Sequence, residues 1–191
     1  MKGGRYIRLI VLLSASILSL VATPSWSQTL TWLGTLPDGT FSVAYGVSVD
    51  GSVVVCVAAD ADWQERAFRW ENGEMQNLGT LGGLLSYAYS VSADGSVVVG
   101  VADNAAGQAR AFRWTTPGGM ENLNVAYASL LPFGSYLSEA YGISPDERYI
   151  VGYGYNASTR RNEAFLLDTG PRCASHNGDV DNNGCVDDAD L

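Results

Sequence analysis

Ala44-Tyr45-Gly46-Val47-Ser48-Val49-Asp50-Gly51-Ser52-Val53-Val54-Val55 returns 44 residues later as Ala88-Tyr89-Ser90-Val91-Ser92-Ala93-Asp94-Gly95-Ser96-Val97-Val98-Val99. Further along, Arg66-Ala67-Phe68-Arg69-Trp70 returns at the same spacing as Arg110-Ala111-Phe112-Arg113-Trp114. A looser third copy runs Ala140-Tyr141-Gly142-Ile143-Ser144-Pro145-Asp146-Glu147-Arg148-Tyr149-Ile150-Val151 and continues as Glu163-Ala164-Phe165-Leu166-Leu167. It lies 52 residues beyond the second, which places about eight extra residues between Val125 and Glu139. Similarity at a fixed period of this size marks stacked supersecondary units.

Each unit reads as short strands. Tyr45, Val47 and Val49 alternate with small or polar residues, and Asp50-Gly51 is expected to form a tight type I′ turn. Val53–Val57 is a continuous β-branched run, as in a strand covered on both faces. Ala67-Phe68-Arg69-Trp70 makes a third strand, Asn72-Gly73 a turn, and Met75–Leu81 a fourth strand. Four antiparallel strands in about 44 residues is the size of one propeller blade. The expected fold is therefore all-β: a β-propeller-like array of about three four-stranded repeats, followed by a short EF-hand-like loop. Leu30–Leu36 resembles the end of a unit (compare Leu78-Gly79-Thr80-Leu81) but precedes the first, so it is expected to complete the last blade as a strand.

Composition agrees with this class. Gly fills 22 of 191 positions, above the usual ~7%, and only 16% of residues are charged. Lys2, Arg5 and Arg8 precede the apolar run Leu9–Ala22, then Thr23-Pro24 and the small-x-small site Ser25-Trp26-Ser27. That order is expected to be a cleaved secretory signal, residues 1–27, leaving a secreted protein; the alternative is an uncleaved anchor helix. Cleavage would take the net charge from −9 to −12 and remove the sole lysine. So acidic a chain repels nucleic acid, and no second segment is long enough to span a membrane as a helix.

The three cysteines are Cys56, Cys173 and Cys185. Cys56 lies in an apolar strand and reads as a small buried hydrophobe, while export permits a Cys173–Cys185 loop whose pairing stays open. No Cys/His pattern for zinc occurs.

Residues 30–168 resemble the HAF family of extracellular repeats, on Leu78-Gly79-Thr80-Leu81-Gly82-Gly83, Val91–Gly100 and Arg110–Trp114. The His of the family's His-Ala-Phe motif is Arg66, Arg110 or Glu163 here, and only Ala-Phe is kept. The resemblance implies an exported β-repeat domain, residues 28–170, and brings no activity with it.

The segment 171–191 holds Asp179-Val180-Asp181-Asn182-Asn183-Gly184-Cys185-Val186-Asp187-Asp188-Ala189-Asp190. Oxygen-bearing side chains fall at loop positions 1, 3, 5, 9 and 12, with Gly at 6, the pattern of a Ca²⁺ loop. Asp179, Asp181, Asn183, Asp187 and Asp190 would offer side-chain oxygens, and Cys185 its backbone carbonyl. The loop resembles dockerin type I, which implies a cohesin-type protein partner chosen in part by Asp188 and Ala189. That family has two loops, each followed by a helix; the sequence here stops at Leu191, one residue after a single loop, so the frame is expected to continue.

Catalytic candidates are sparse. The single histidine, His176, reads as a solvated linker residue. A carboxylate pair for glycoside hydrolysis would come from Asp60, Asp62, Glu65, Glu71, Glu74, Glu121, Glu139 or Glu163, and nothing in the sequence selects two of them. Phe68, Phe112, Phe165, Trp70 and Trp114 are repeat-equivalent and read as core, whereas Trp32, Trp63, Tyr153 and Tyr155 could stack on sugar rings. Asn156-Ala157-Ser158 fits an N-glycosylation acceptor. The resulting expectation is a secreted, non-enzymatic binding or structural module tethered by its calcium loop. The alternative is a dockerin-bearing carbohydrate-active protein, binding or hydrolysing a glycan.

Overall fold

A computed structural model describes residues 28–170. Residues 28–32 fall outside the compact unit that begins at Leu33. Within that unit the strands are β1 (Ser42–Val47), β2 (Val53–Ala59), β3 (Glu65–Glu71), β4 (Glu74–Gly79), β5 (Gly82–Val91), β6 (Val97–Asn104), β7 (Ala109–Thr115), β8 (Gly119–Asn122), β9 (Tyr136–Ile143), β10 (Tyr149–Asn156) and β11 (Arg161–Asp168). They form three antiparallel sheets in the orders β1-β2-β3-β4, β5-β6-β7-β8 and β11-β10-β9. The described residues are all-β, with one turn of helix, α1 (Leu123–Ala126), and a 3-10 turn at Ala128–Leu130. The 3-10 turn lies within the predicted insertion, and α1 straddles its start.

Sequence spacing becomes register. In the first sheet Val53 pairs with Glu71 and Ala59 with Glu65; in the second, Val97 pairs with Thr115 and Asp103 with Ala109, each 44 residues on. β2 is buried along nearly its whole length, as its β-branched run demands.

Neighbouring sheets pack face to face. Val53, Val55 and Ala67 of the first sheet meet Val98, Phe112 and Trp114 of the second. Val97, Val99 and Ala111, on the other face of the second sheet, meet Ile150 and Leu167 of the third, with Phe165 against them. Phe68 and Phe112 are fully buried, Trp114 nearly so, and Trp70 packs half-buried beside Phe68. Cys56 is a free, buried thiol, which burial pushes up to about 12.

Two local expectations are corrected. Asp50-Gly51 is not a type I′ turn: Gly51 has φ +77 but Asp50 has no positive φ. Five residues, Ser48–Ser52, span the hairpin instead, and Asp50 serves as an acceptor. Its Oδ1 takes hydrogen bonds from Ser48 Oγ (2.7 Å), Ser52 N–H (3.0 Å) and Ser52 Oγ (2.8 Å). The buried Ser48 Oγ then accepts from Val53 N–H at 3.0 Å, opening β2. Ser92 and Asp94 repeat this arrangement before Val97, and Ser144 and Asp146 before Tyr149. Where both residues of a two-residue loop do take positive φ, at Asn72-Gly73, Glu71 pairs directly with Glu74.

The second correction concerns Leu30–Leu36, which forms no strand. Leu33 and Leu36 instead pack on Cys56, Ala58 and Phe68, the outward face of the first sheet. Burying two leucines there covers a Phe ring that water would otherwise meet. The third sheet holds three strands among the described residues.

Candidate functional site: a tyrosine row on the inner strands

The first strand of each sheet carries the same irregularity. Register shifts between Ala44 and Gly46 in β1, between Ala88 and Ser90 in β5, and between Ala140 and Gly142 in β9. The residue left unpaired is Tyr45, Tyr89 and Tyr141 in turn. A β-bulge twists its strand and re-aims the extra side chain. Here it does so three times, with a tyrosine each time between two small residues. Gly46 suits the close approach of β1 to β5: a Cβ there would stand 3.2 Å from the Tyr89 carbonyl oxygen, a tight contact.

The bulged tyrosines meet. The rings of Tyr45 and Tyr89 lie edge to face at 5.6 Å between centroids, and those of Tyr89 and Tyr141 lie tilted by 36° at 5.3 Å. Tyr87 stacks beside Tyr89 and Tyr153 beside Tyr141, each at 6.3 Å. Tyr45 and Tyr141, at the two ends, are half exposed (50% and 51%), so ring surface remains open to a ligand.

Two carboxylates border the row. Tyr89 donates its hydroxyl to Glu139 Oε2 at 3.1 Å, and Tyr87 donates to Glu65 Oε2. Burial, reinforced by these carboxylates, raises the phenols of Tyr87 and Tyr89 well above their ordinary range, and Tyr141 rises for the same reasons. The hydroxyls therefore stay protonated and donating at any physiological pH. Each carboxylate has lone pairs beyond the one it shares with tyrosine. A cleft of about 160 Å³ opens beside the row, lined by Leu85, Tyr87, Tyr89, Asp103 and Glu139 among others.

The residues singled out from sequence are distributed as follows. Tyr153 belongs to the row, Tyr155 stacks on Tyr136 at 5.6 Å away from it, and Trp63 is exposed in the β2–β3 loop. Asp60 pairs with Arg66 (3.2 Å), Glu71 with Arg69 (2.8 Å) and Glu121 with Arg113 (2.8 Å). Glu163 accepts from Asn156 and Thr159, which also engages the amide of the glycosylation pattern. Arg69 holds Glu71 below the usual carboxylate range, and Thr159 and Asn156 do the same to Glu163. A general acid requires the opposite shift. His176, Cys173 and the proposed calcium ligands Asp179, Asp181, Asn183, Cys185, Asp187 and Asp190 lie outside the described residues, as does the signal segment. Among the described residues no three acidic, His or Cys side chains form a metal-binding group, and no helix is long and apolar enough to cross a membrane.

Tyr45, Tyr89 and Tyr141 were not marked out by sequence reasoning, which read Tyr45 as an ordinary alternating strand residue. The available signal was the recurrence of small-Tyr-small: Ala44-Tyr45-Gly46, Ala88-Tyr89-Ser90 and Ala140-Tyr141-Gly142.

No family model matches the chain, and no curated protein matches it. Among solved structures it is similar to TolB from Acinetobacter baumannii, at 15% identity and a TM-score of 0.47, over 64% of this chain and 29% of that one. A protein assigned as a TolB from Agrobacterium tumefaciens matches at 16% identity and a TM-score of 0.48, over 68% and 46%. The chain thus spans less than half the length of either.

Proposed function

We propose that this chain is an exported, non-enzymatic binding protein whose three sheets are blades of a propeller-like array, and whose tyrosine row contacts a neutral glycan. The observation that carries this reading is the bulge repeated in three inner strands to bring Tyr45, Tyr89 and Tyr141 together. A pyranose ring presents an apolar C–H face bordered by hydroxyls. Half-exposed tyrosines suit the face, and the spare lone pairs of Glu65 and Glu139 suit the hydroxyls. The acidic, lysine-poor chain disfavours polyanionic glycans.

Export rests on the residue order of 1–27. Tethering rests on the resemblance of 171–191 to a dockerin loop, where Ca²⁺ would be held by Asp179, Asp181, Asn183, Asp187, Asp190 and the Cys185 carbonyl, and a cohesin-type protein would be the partner. The hydrolytic alternative has less support, since four of the eight candidate carboxylates are engaged by arginine or by Asn156 and Thr159, and Glu65 and Glu139 accept from tyrosine hydroxyls.

The test is retention on insoluble neutral polysaccharides, wild type against the double variant Tyr45→Ala/Tyr141→Ala. Retention of the wild type and loss of at least about tenfold in the variant is expected, roughly 1.4 kcal/mol. Equal retention of both proteins removes the row from the reading.

A further inference from the structure

The internal packing scheme of the sheets is left incomplete at both ends, and the two ends match. Between the first and second sheets, the face carrying Val53, Val55 and Ala67 meets the face carrying Val98, Phe112 and Trp114. The same pairing of equivalent faces recurs between the second and third sheets. One partner of this scheme is unused on the first sheet: Val54, Cys56, Phe68 and Trp70 stand 44 residues before Val98, Gly100, Phe112 and Trp114. The complementary partner is unused on the third sheet. There Val151 pairs with Leu166 and Tyr153 with Ala164 on the face that corresponds to Val99, Val101 and Ala111. Val151 is 45% and Leu166 66% exposed.

A second mismatch points the same way. Leu33-Gly34-Thr35-Leu36 repeats Leu78-Gly79-Thr80-Leu81. Leu78, from the last strand of the first sheet, and Leu81 just after it pack into the interface with the second sheet. By equivalence, Leu33 and Leu36 lie on the first sheet where the last strand of a preceding sheet would lie. The third sheet has three strands among the described residues, and its β11 edge is the one such a strand would join.

We infer that two copies of this chain close head to tail, the third sheet of each packing on the first sheet of the other, with residues 33–36 of one copy lying along β11 of its partner. Three sheets are too few for a closed propeller, whereas the six of two copies fall within the usual four to eight. A heterologous contact that closes after two steps yields a discrete dimer, covers both end faces and pairs the β11 edge. Closure would also carry the tyrosine row around the ring, since Tyr141 stands on the last inner strand and Tyr45 on the first. This inference rests on the reading of the sheets as blades, and not on what the tyrosines bind.

The experiment is sedimentation velocity of the full chain across a range of micromolar concentrations, beside Leu166→Asp and Val151→Asp. The expected result is a discrete species of twice the chain mass, with association weakened on the order of 100-fold or more by Leu166→Asp. Open-ended oligomers contradict closure, and a dimer indifferent to both substitutions contradicts the interface. A wild-type monomer that still melts in one cooperative transition overturns the ring alone. A monomer without a cooperative transition overturns the stacked blades as well.

Discussion

At one end of the sheet stack Leu33 and Leu36 cover Phe68 and Cys56; at the other, Val151 and Leu166 face solvent on a sheet built to the same plan. The two ends differ because each sheet is apolar on both faces, so repetition always leaves one face of each type over. The chain covers one of them with its own N-terminal leucines. Stability is therefore expected to be concentrated at the covered end and between sheets, while Val151 and Leu166 leave apolar surface open at the other end.

Substitution at the two ends should separate them most clearly. Leu36, 5% exposed, is expected to cost about 2–5 kcal/mol on replacement by alanine. Leu166→Ala, measured at concentrations too low for association, should stay within about 0.5 kcal/mol. Urea unfolding of both variants reads the difference, and equal costs would mean that the ends are not distinct.

A smaller effect should come from alkali. The phenols of Tyr87 and Tyr89 are raised from 10.0, and the Cys56 thiol from 9.0 to about 12. A raised folded-state value contributes stability that is complete below the unfolded value and lost as pH rises toward the folded one. Stability is thus expected to decline above pH 9, with Cys56 first and the tyrosines from pH 10. The double variant Tyr87→Phe/Tyr89→Phe should flatten the upper part of that decline. An unchanged profile would show that the inner row is not buried as described.

The smallest effect is expected at the hairpins. Three hydrogen bonds, led by that from the Ser52 backbone, lower Asp50 to about 2 from 3.8. A depressed carboxylate stabilises above its unfolded value and ceases to do so as pH falls through the folded one. The difference in melting temperature between wild type and Asp50→Asn should therefore be present at pH 6 and shrink from pH 4 toward pH 2. A constant difference would assign the effect to something other than the charge.

Much of this architecture could be read from the chain. The 44-residue period gave strand positions because β-branched runs and paired turns act locally, and burial of Phe68 and Phe112 followed from their recurrence. What escaped depended on geometry between strands. Asp50-Gly51 has the composition of a two-residue turn, yet Ser48 and Ser52 bind the Asp50 carboxylate and lengthen the hairpin to five residues. Leu30–Leu36 resembles a strand, but a strand exists only where a partner edge is in reach. The tyrosine row was hidden for the same reason: a bulge is a relation between two strands, and Tyr45 alone is indistinguishable from any alternating residue.

The central claim is that Tyr45, Tyr89 and Tyr141 form a ligand surface and not a structural staple. The most direct measurement is NMR of the tyrosine ring protons during titration with a soluble neutral oligosaccharide, beside thermal melts of Tyr45→Ala/Tyr141→Ala. The account predicts saturable shifts confined to tyrosines of the row, lost in the double variant while its melting temperature stays within a few degrees of wild type, as expected for half-exposed rings. No ring shifts across a panel of neutral glycans, together with a large loss of stability in the variant, would contradict it and make the row a staple between the sheets.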